Sequence, residues 1–256
     1  MPMRTFFAAV AAIFLVAACA ALPAGKADPR DPLERFNRSV YRFNAGADKA
    51  VFRPAASAWR AVVPRPVRTG LSNFVGNLAY PGTILNDFLQ GKVAVGGRDF
   101  TRLLINSAVG FGFFDPATRA GFERHDEDFG QTLGKWGVPP GPYLMLPLLG
   151  PSTMRDAPAK LVDEYTDGRH YLQNSDLRWG LWATDRLESR ASLLDADATI
   201  QRAFDPYAFV RNAWLQRREY KVKDGAVEEV PADFGEDAPP DVPPDNGGDP
   251  KGVKPP

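Results

Sequence analysis

Apolar positions recur at spacings of three and four along most of the chain, the period of amphipathic helices. Leu33, Phe36, Val40, Phe43 and Ala47 form the first such stripe, with Arg35, Arg38 and Arg42 off it. Asp31 is placed to cap this helix and Pro32 to occupy its first position. A second helical stretch, residues 54–62, ends before Pro64 and Pro66. Residues 71–78 and 83–90 read as two short helices interrupted by Tyr80-Pro81-Gly82, with Gly91 as a stop. Residues 99–109 put Phe100, Leu103, Leu104 and Ala108 on one side. From 121 to 158, recurring Gly and Pro predict loops around apolar fragments such as YLMLPLLG (143–150), with a helix start near Ser152-Thr153. A long helix over 177–194 carries Trp179, Trp182, Leu187 and Leu194 near one face. Residues 197–204 and 207–220 complete the pattern, divided by Asp205-Pro206. No strand-length alternation is strong, so the fold class is mainly α.

The two ends differ from this body. Residues 1–18 carry one base, Arg4, and then 13 apolar positions from Phe6 to Ala18. That is the length of a signal-peptide core, short of the roughly 20 residues that span a bilayer. The run ends Val16-Ala17-Ala18-Cys19, which resembles a bacterial lipobox, so Cys19 is expected to carry acyl chains after cleavage. Each buried acyl CH₂ contributes about 0.8 kcal/mol, and two or three chains make a stable membrane anchor. The alternative is an ordinary secretory signal. Residue 20 is Ala rather than the Asp of an inner-membrane retention signal, which favours the outer membrane, periplasmic face. Residues 19–30 then read as a tether and 31–222 as the helical domain. Residues 223–256 read as an acidic, Pro-rich tail with too few apolar residues to offset its ordering entropy.

Net charge, zero over 256 residues, sharpens when divided. Residues 19–223 hold 28 bases and 22 acids, while 224–256 hold nine acids and two bases. A balanced total gives no footprint for nucleic acid. One cysteine excludes an internal disulfide and a cysteine-rich zinc site, and no cofactor is expected.

Candidate chemistry is sparse. Neither Gly70-Leu71-Ser72 nor Gly150-Pro151-Ser152 continues as the G-x-S-x-G elbow of a serine hydrolase. His125 lies among Glu123, Asp126, Glu127 and Asp128, which lack EF-hand spacing and read as a solvated charged loop. Gly110, Phe111, Gly112, Phe113 and Phe114 lack the third glycine of a dinucleotide loop. Three rings in five residues are too apolar for an ordinary loop. They read either as a core-anchored loop or as a flexible gate beside an apolar passage. The Trp and aromatic stripes suit either a core or a membrane interface; an N-terminal anchor favours the interface.

The segments DPLERFNRSVYRFN (31–44), RPAASAWRAVVPRPVRTGLSNFVGNL (53–78), NDFLQGK (86–92), FGQTLGKWGVPPGPYLMLPLLGPSTMRD (129–156), ESRASLLDAD (188–197) and DPYAFVRNAWLQRREY (205–220) resemble the MlaA (VacJ) lipoproteins. The resemblance implies a ring of amphipathic helices around a central amphipathic channel, embedded in one leaflet of the outer membrane. It implies removal of mislocalised phospholipid from the outer leaflet, beside an outer-membrane porin trimer, with delivery to a periplasmic MlaC-like lipid carrier and no covalent chemistry. The family's FN-x-x-x-Y-x-FN helix matches Phe36, Asn37, Tyr41, Phe43 and Asn44, with Arg42 inside it. These residues and the 110–114 stretch are the expected channel and gate. The competing expectation is a structural or lipid-degrading lipoprotein.

Overall fold

The computed structural model describes residues 28–226. Cys19, the signal segment and residues 227–256 lie outside the described residues.

Helix α1 (Glu34–Ala47) continues through a single π-helical turn (Asp48–Phe52) into α2 (Arg53–Val62). Asp31 is not its side-chain cap; Leu33 takes the cap position, and Asp31 is fully buried in a polar cluster instead. Val63 turns extended, as the residue before a proline must, and ends α2.

Helix α3 (Arg65–Leu89) begins with Pro66 in its first turn and runs through Pro81 without interruption. An interior proline removes one helical hydrogen bond and costs about 3 kcal/mol. Tertiary packing outweighs that here. Tyr80, Gly82 and Ile84 are all buried, and a side chain at Gly82 would come within 2.8 Å of Thr166 Oγ1. Gly91, at φ +79°, then turns the chain into α4 (Val93–Ala108), making a helical hairpin.

Helices α5 (Pro116–Arg119) and α6 (Phe129–Lys135) are short and capped by Asp115 and Asp128. The glycine-rich region also forms a hairpin that alternation did not predict. Strand β1 (Tyr143–Leu146) pairs antiparallel with β2 (Gly150–Thr153), Tyr143 opposite Thr153. Ser152 and Thr153 therefore end a strand, and α7 (Asp156–Thr166) starts three residues later, its first N–H donating to Thr153 Oγ1.

Helix α8 (Ser175–Ser192) is capped by Asn174, and α9 (Asp197–Arg202) leads to α10 (Pro206–Val222), capped by Asp205. The α2–α8 contact is sealed by Glu188, which accepts from Trp59 Nε1 at 2.8 Å and pairs with Arg68.

The apolar core is small: Tyr143, Met145 and Tyr207, backed by Val40, Tyr41, Trp214 and Leu215. Along α4 and at the end of α3 the usual pattern is inverted. On α4 the buried residues are Gly96, Asp99, Arg102 and Asn106, while Val93, Phe100 and Leu104 face outward. On α3, Asn86 and Asp87 are buried while Leu85, Phe88 and Leu89 are exposed. No helix among the described residues is long and apolar enough to cross a membrane.

Candidate functional site

Helix α1 crosses the β-hairpin with two asparagines one heptad apart. Asn37 is fully buried. Its Nδ2 donates to Tyr143 O (3.0 Å) and Asp31 Oδ1 (2.7 Å), and its Oδ1 accepts Met145 N–H (2.8 Å). Asn44 repeats the grip at the hairpin's end, donating to Leu146 O and accepting Leu148 N–H. Seven residues along a helix return to nearly the same face, so both amides reach the same strand. Asp31 completes the joint by accepting from the Tyr207 hydroxyl and from Arg211 Nη1 at 2.9 Å. Burial and the Asp31 carboxylate together push the Tyr207 hydroxyl well above its ordinary range.

This joint holds one wall of a cavity of about 710 Å³. Tyr41, Ala45, Met145, Pro151, Leu193, Ile200 and Val210 give it apolar surface; Asn44, Asp48, Lys49, Arg53, Arg190, Asp197 and Gln201 give it polar surface. The polar side is organised by Arg190, which donates to both carboxylate oxygens of Asp48 (2.6 and 2.8 Å) and to Asp197 (2.9 Å). Arg53 pairs with Asp197 at 3.1 Å. Asp48 opens the π turn, so α8 is tied to α1 at the place where the helix is underwound and widened.

A second cavity, about 550 Å³, continues along the same two helices. Arg186, one turn before Arg190, and Ser189, the residue next to Arg190, line it on α8; Trp214, Arg217, Arg218 and Lys221 line it after Val210 on α10. Its character is basic, with five cations against Asp128, Asp156 and Asp163. Arg218 makes bidentate bonds to Asp128 and also holds Asp156. Burial would raise Asp128, but Arg218 outweighs it and holds the carboxyl near 2. Burial pushes Asp163 up to about 6.

The acidic loop around His125 is structural rather than merely solvated. Glu127 pairs with Lys92, Asp126 with Lys221, and His125 Nδ1 lies 3.0 Å from both oxygens of the buried Asp99. Asp87 packs against Asp99, and burial together with that second carboxyl pushes it up to about 7. No three His, Cys, Asp or Glu side chains among the described residues are arranged to hold a metal ion.

Of the residues expected at the channel, Tyr41 and Asn44 line the larger cavity. Asn37 supports its wall from behind, and Phe36 is half-buried. Phe43 faces outward, and the exposed Arg42 lines, with Tyr41, Arg35 and Arg38, a separate open cavity of about 520 Å³. The 110–114 turn lines neither cavity. Its backbone is fixed: a side chain at Gly110 would lie 2.5 Å from Phe114 O and 2.6 Å from Asn106 O, and Gly112 sits at φ +75°. Its rings point out, Phe111 at 75% and Phe114 at 69% exposure, while Phe113 stacks on Phe74 at 4.5 Å. The Arg190–Asp48–Asp197 network was not anticipated. Acids and bases at such separations in sequence carry no local signal that would pair them.

The described residues form a mainly helical protein with exposed apolar helix faces and cavities that combine apolar with charged surface. The comparisons make that class specific. Residues 29–221 match the MlaA lipoprotein family. The chain is 40% identical over 222 residues to the intermembrane phospholipid transport system lipoprotein MlaA of Escherichia coli, covering 83% of this chain and 86% of that one. It is 33% identical over 211 residues to the Haemophilus influenzae protein of the same name, covering 78% and 82%. A solved structure described as the structural basis for maintenance of bacterial outer membrane lipid asymmetry aligns with a TM-score of 0.68 at 39% identity, covering 75% of this chain and 98% of that one. The chain belongs to the MlaA lipoprotein family.

Proposed function

We propose that this protein removes mislocalised phospholipid from the outer leaflet of the outer membrane, preserving lipid asymmetry, and passes it intact toward the periplasm. The observation that carries the reading is the inversion of α4 and of the end of α3. Leu85, Phe88, Leu89, Val93, Phe100 and Leu104 are exposed while Asp87, Asp99, Arg102 and Asn106 are buried. A water-facing helix pair would do the opposite. Burying such a face in acyl chains gains roughly 25 cal/mol per Å² of apolar area.

In this reading the helices form a ring within one leaflet, anchored through acylated Cys19. The two successive cavities along α8 and α10 form the passage. The larger one offers apolar walls to acyl chains and the Arg190 cluster to a headgroup. Residues 36–44 set the shape of its wall, and the 110–114 turn, which lines neither cavity, is proposed to seat its exposed rings in lipid beside the passage rather than to gate it. An outer-membrane porin trimer is the proposed neighbour and an MlaC-like carrier the proposed recipient. Transport down such a passage needs no bond to break, so the proposed role is not enzymatic; net direction follows from the energy source elsewhere in the pathway.

The test is genetic and chemical. Loss of the protein should raise surface-exposed phospholipid. The wild-type gene should restore asymmetry, and Cys19→Ala should not. Normal asymmetry without the protein would sink the reading.

A further inference from the structure

The smaller cavity holds more positive charge than its surroundings neutralise. Arg218 and Lys221 have carboxylate partners in Asp128, Asp156 and Asp126. Lys160, Arg186 and Arg217 line the same cavity, and none of the three makes an ion pair among the described residues. Arg186 instead lies over the Trp182 ring at 5.6 Å. The two arginines of the larger cavity, Arg53 and Arg190, are by contrast both paired. Gathering unpaired cations in a concave site raises its potential and invites an anion.

The charge that would balance it is attached to the same helix. Lys221 lines the cavity in the last turn of α10, which ends at Val222. The next acid, Asp224, is already held by the body, accepting from Lys92 and from Lys135 at 2.8 Å. Beyond it, residues 227–256 carry eight acids and two bases. Thirty residues can extend about 100 Å, so reach does not limit the tail.

We propose that the acidic segment 227–256 docks over the basic cavity between α7, α8 and α10. Its carboxylates sit against Lys160, Arg186 and Arg217 and compete there with any other anionic group. This differs from a plain spacer, because a spacer has no preferred contact. The docking itself does not depend on lipid transport, and its test is made without lipid.

The test is zero-length carbodiimide coupling of the full chain in neutral detergent at low salt, read by mass spectrometry. Lys160 is the informative amine, because it lies on α7, far in sequence from the tail. Coupling of Lys160 to Glu228, Glu229, Asp233, Glu236 or Asp237 is expected to exceed coupling of Lys49 to the same carboxylates several-fold. It should disappear near 1 M salt, where the screening length falls to about 3 Å. The double variant Arg186→Gln/Arg217→Gln keeps the reporting lysine and replaces two exposed side chains. Several-fold weaker Lys160 coupling in that variant supports docking. Equal coupling of Lys160 and Lys49, no coupling of Lys160, or coupling unchanged in the double variant overturns it.

Discussion

Asn37 and Met145 are joined across 108 residues by a buried hydrogen bond, the Met145 N–H donating to Asn37 Oδ1 at 2.8 Å. The same amide donates to Tyr143 O and Asp31. One side chain thus satisfies three buried groups and fixes the cavity wall to helix α1. Asn37→Ala would leave a strand N–H, a strand C=O and a carboxylate each short of a partner. An unsatisfied buried group costs roughly 1–3 kcal/mol, so a loss of about 2–4 kcal/mol is expected, allowing for relaxation. Thermal or denaturant unfolding of the purified chain measures it; a loss below about 0.5 kcal/mol contradicts the assignment.

Arg190 should show strong coupling with Asp48. Arg190→Met leaves Asp48 and Asp197 facing each other without their shared cation. Removal of Asp48 as well, in Arg190→Met/Asp48→Ala, should recover part of the lost stability. The expected coupling in a double-mutant cycle is about 1–3 kcal/mol. Additive effects would mean that the pair contributes nothing beyond its separate contacts.

Asp87 makes stability depend on pH in a defined direction. Its folded-state value is about 7 against an ordinary 3.8, raised first by burial and then by Asp99. A raised value favours the protonated form in the fold. That contribution is full below about 4 and is lost as pH rises through about 7. The groups around it are Tyr80 on α3, Lys92 in the turn, Asp99 and Arg102 on α4, and His125 and Glu127 in the following loop. Asp87→Asn should flatten the fall in melting temperature between pH 5 and 8 and raise the value at pH 8. Parallel wild-type and variant curves would contradict this.

The glycine-aromatic turn divides into two kinds of residue. Gly110 has no room for a side chain, so Gly110→Val should destabilise the chain by more than about 2 kcal/mol through clash and backbone shift. Phe111 and Phe114 are exposed, so Phe111→Ser/Phe114→Ser should leave the melting temperature within a few degrees. It should weaken vesicle binding of the anchorless Cys19→Ala chain at least tenfold, since each inserted ring contributes roughly 1.5–3 kcal/mol. Equal vesicle binding would place the turn outside the lipid.

Helix positions were readable in the sequence, because their apolar spacing survives whichever way the stripe faces. Direction was not. Phe100 and Leu104 mark a stripe equally well for a core or for a bilayer, and only the burial of Asp99, Arg102 and Asn106 decides. Pro81 misled because its local cost is offset by contacts with α7, far away in sequence. The β-hairpin was hidden because YLML is apolar throughout and so shows no period of two. At the site, Phe36, Asn37, Tyr41, Phe43 and Asn44 were picked out by resemblance. Their separate tasks became visible only with the strand in place: Asn37 and Asn44 hold backbone, Tyr41 faces the cavity, and Phe43 faces outward.

The most direct measurement of the central claim is transfer of radiolabelled phospholipid. The acylated protein, reconstituted in labelled vesicles, is mixed with a soluble periplasmic lipid carrier, and the carrier fraction is resolved by thin-layer chromatography. The account expects label on the carrier as intact phospholipid, at a rate well above protein-free vesicles and reduced in Asn37→Ala. Release of lysophospholipid or free fatty acid, or transfer no faster than from protein-free vesicles, would contradict it.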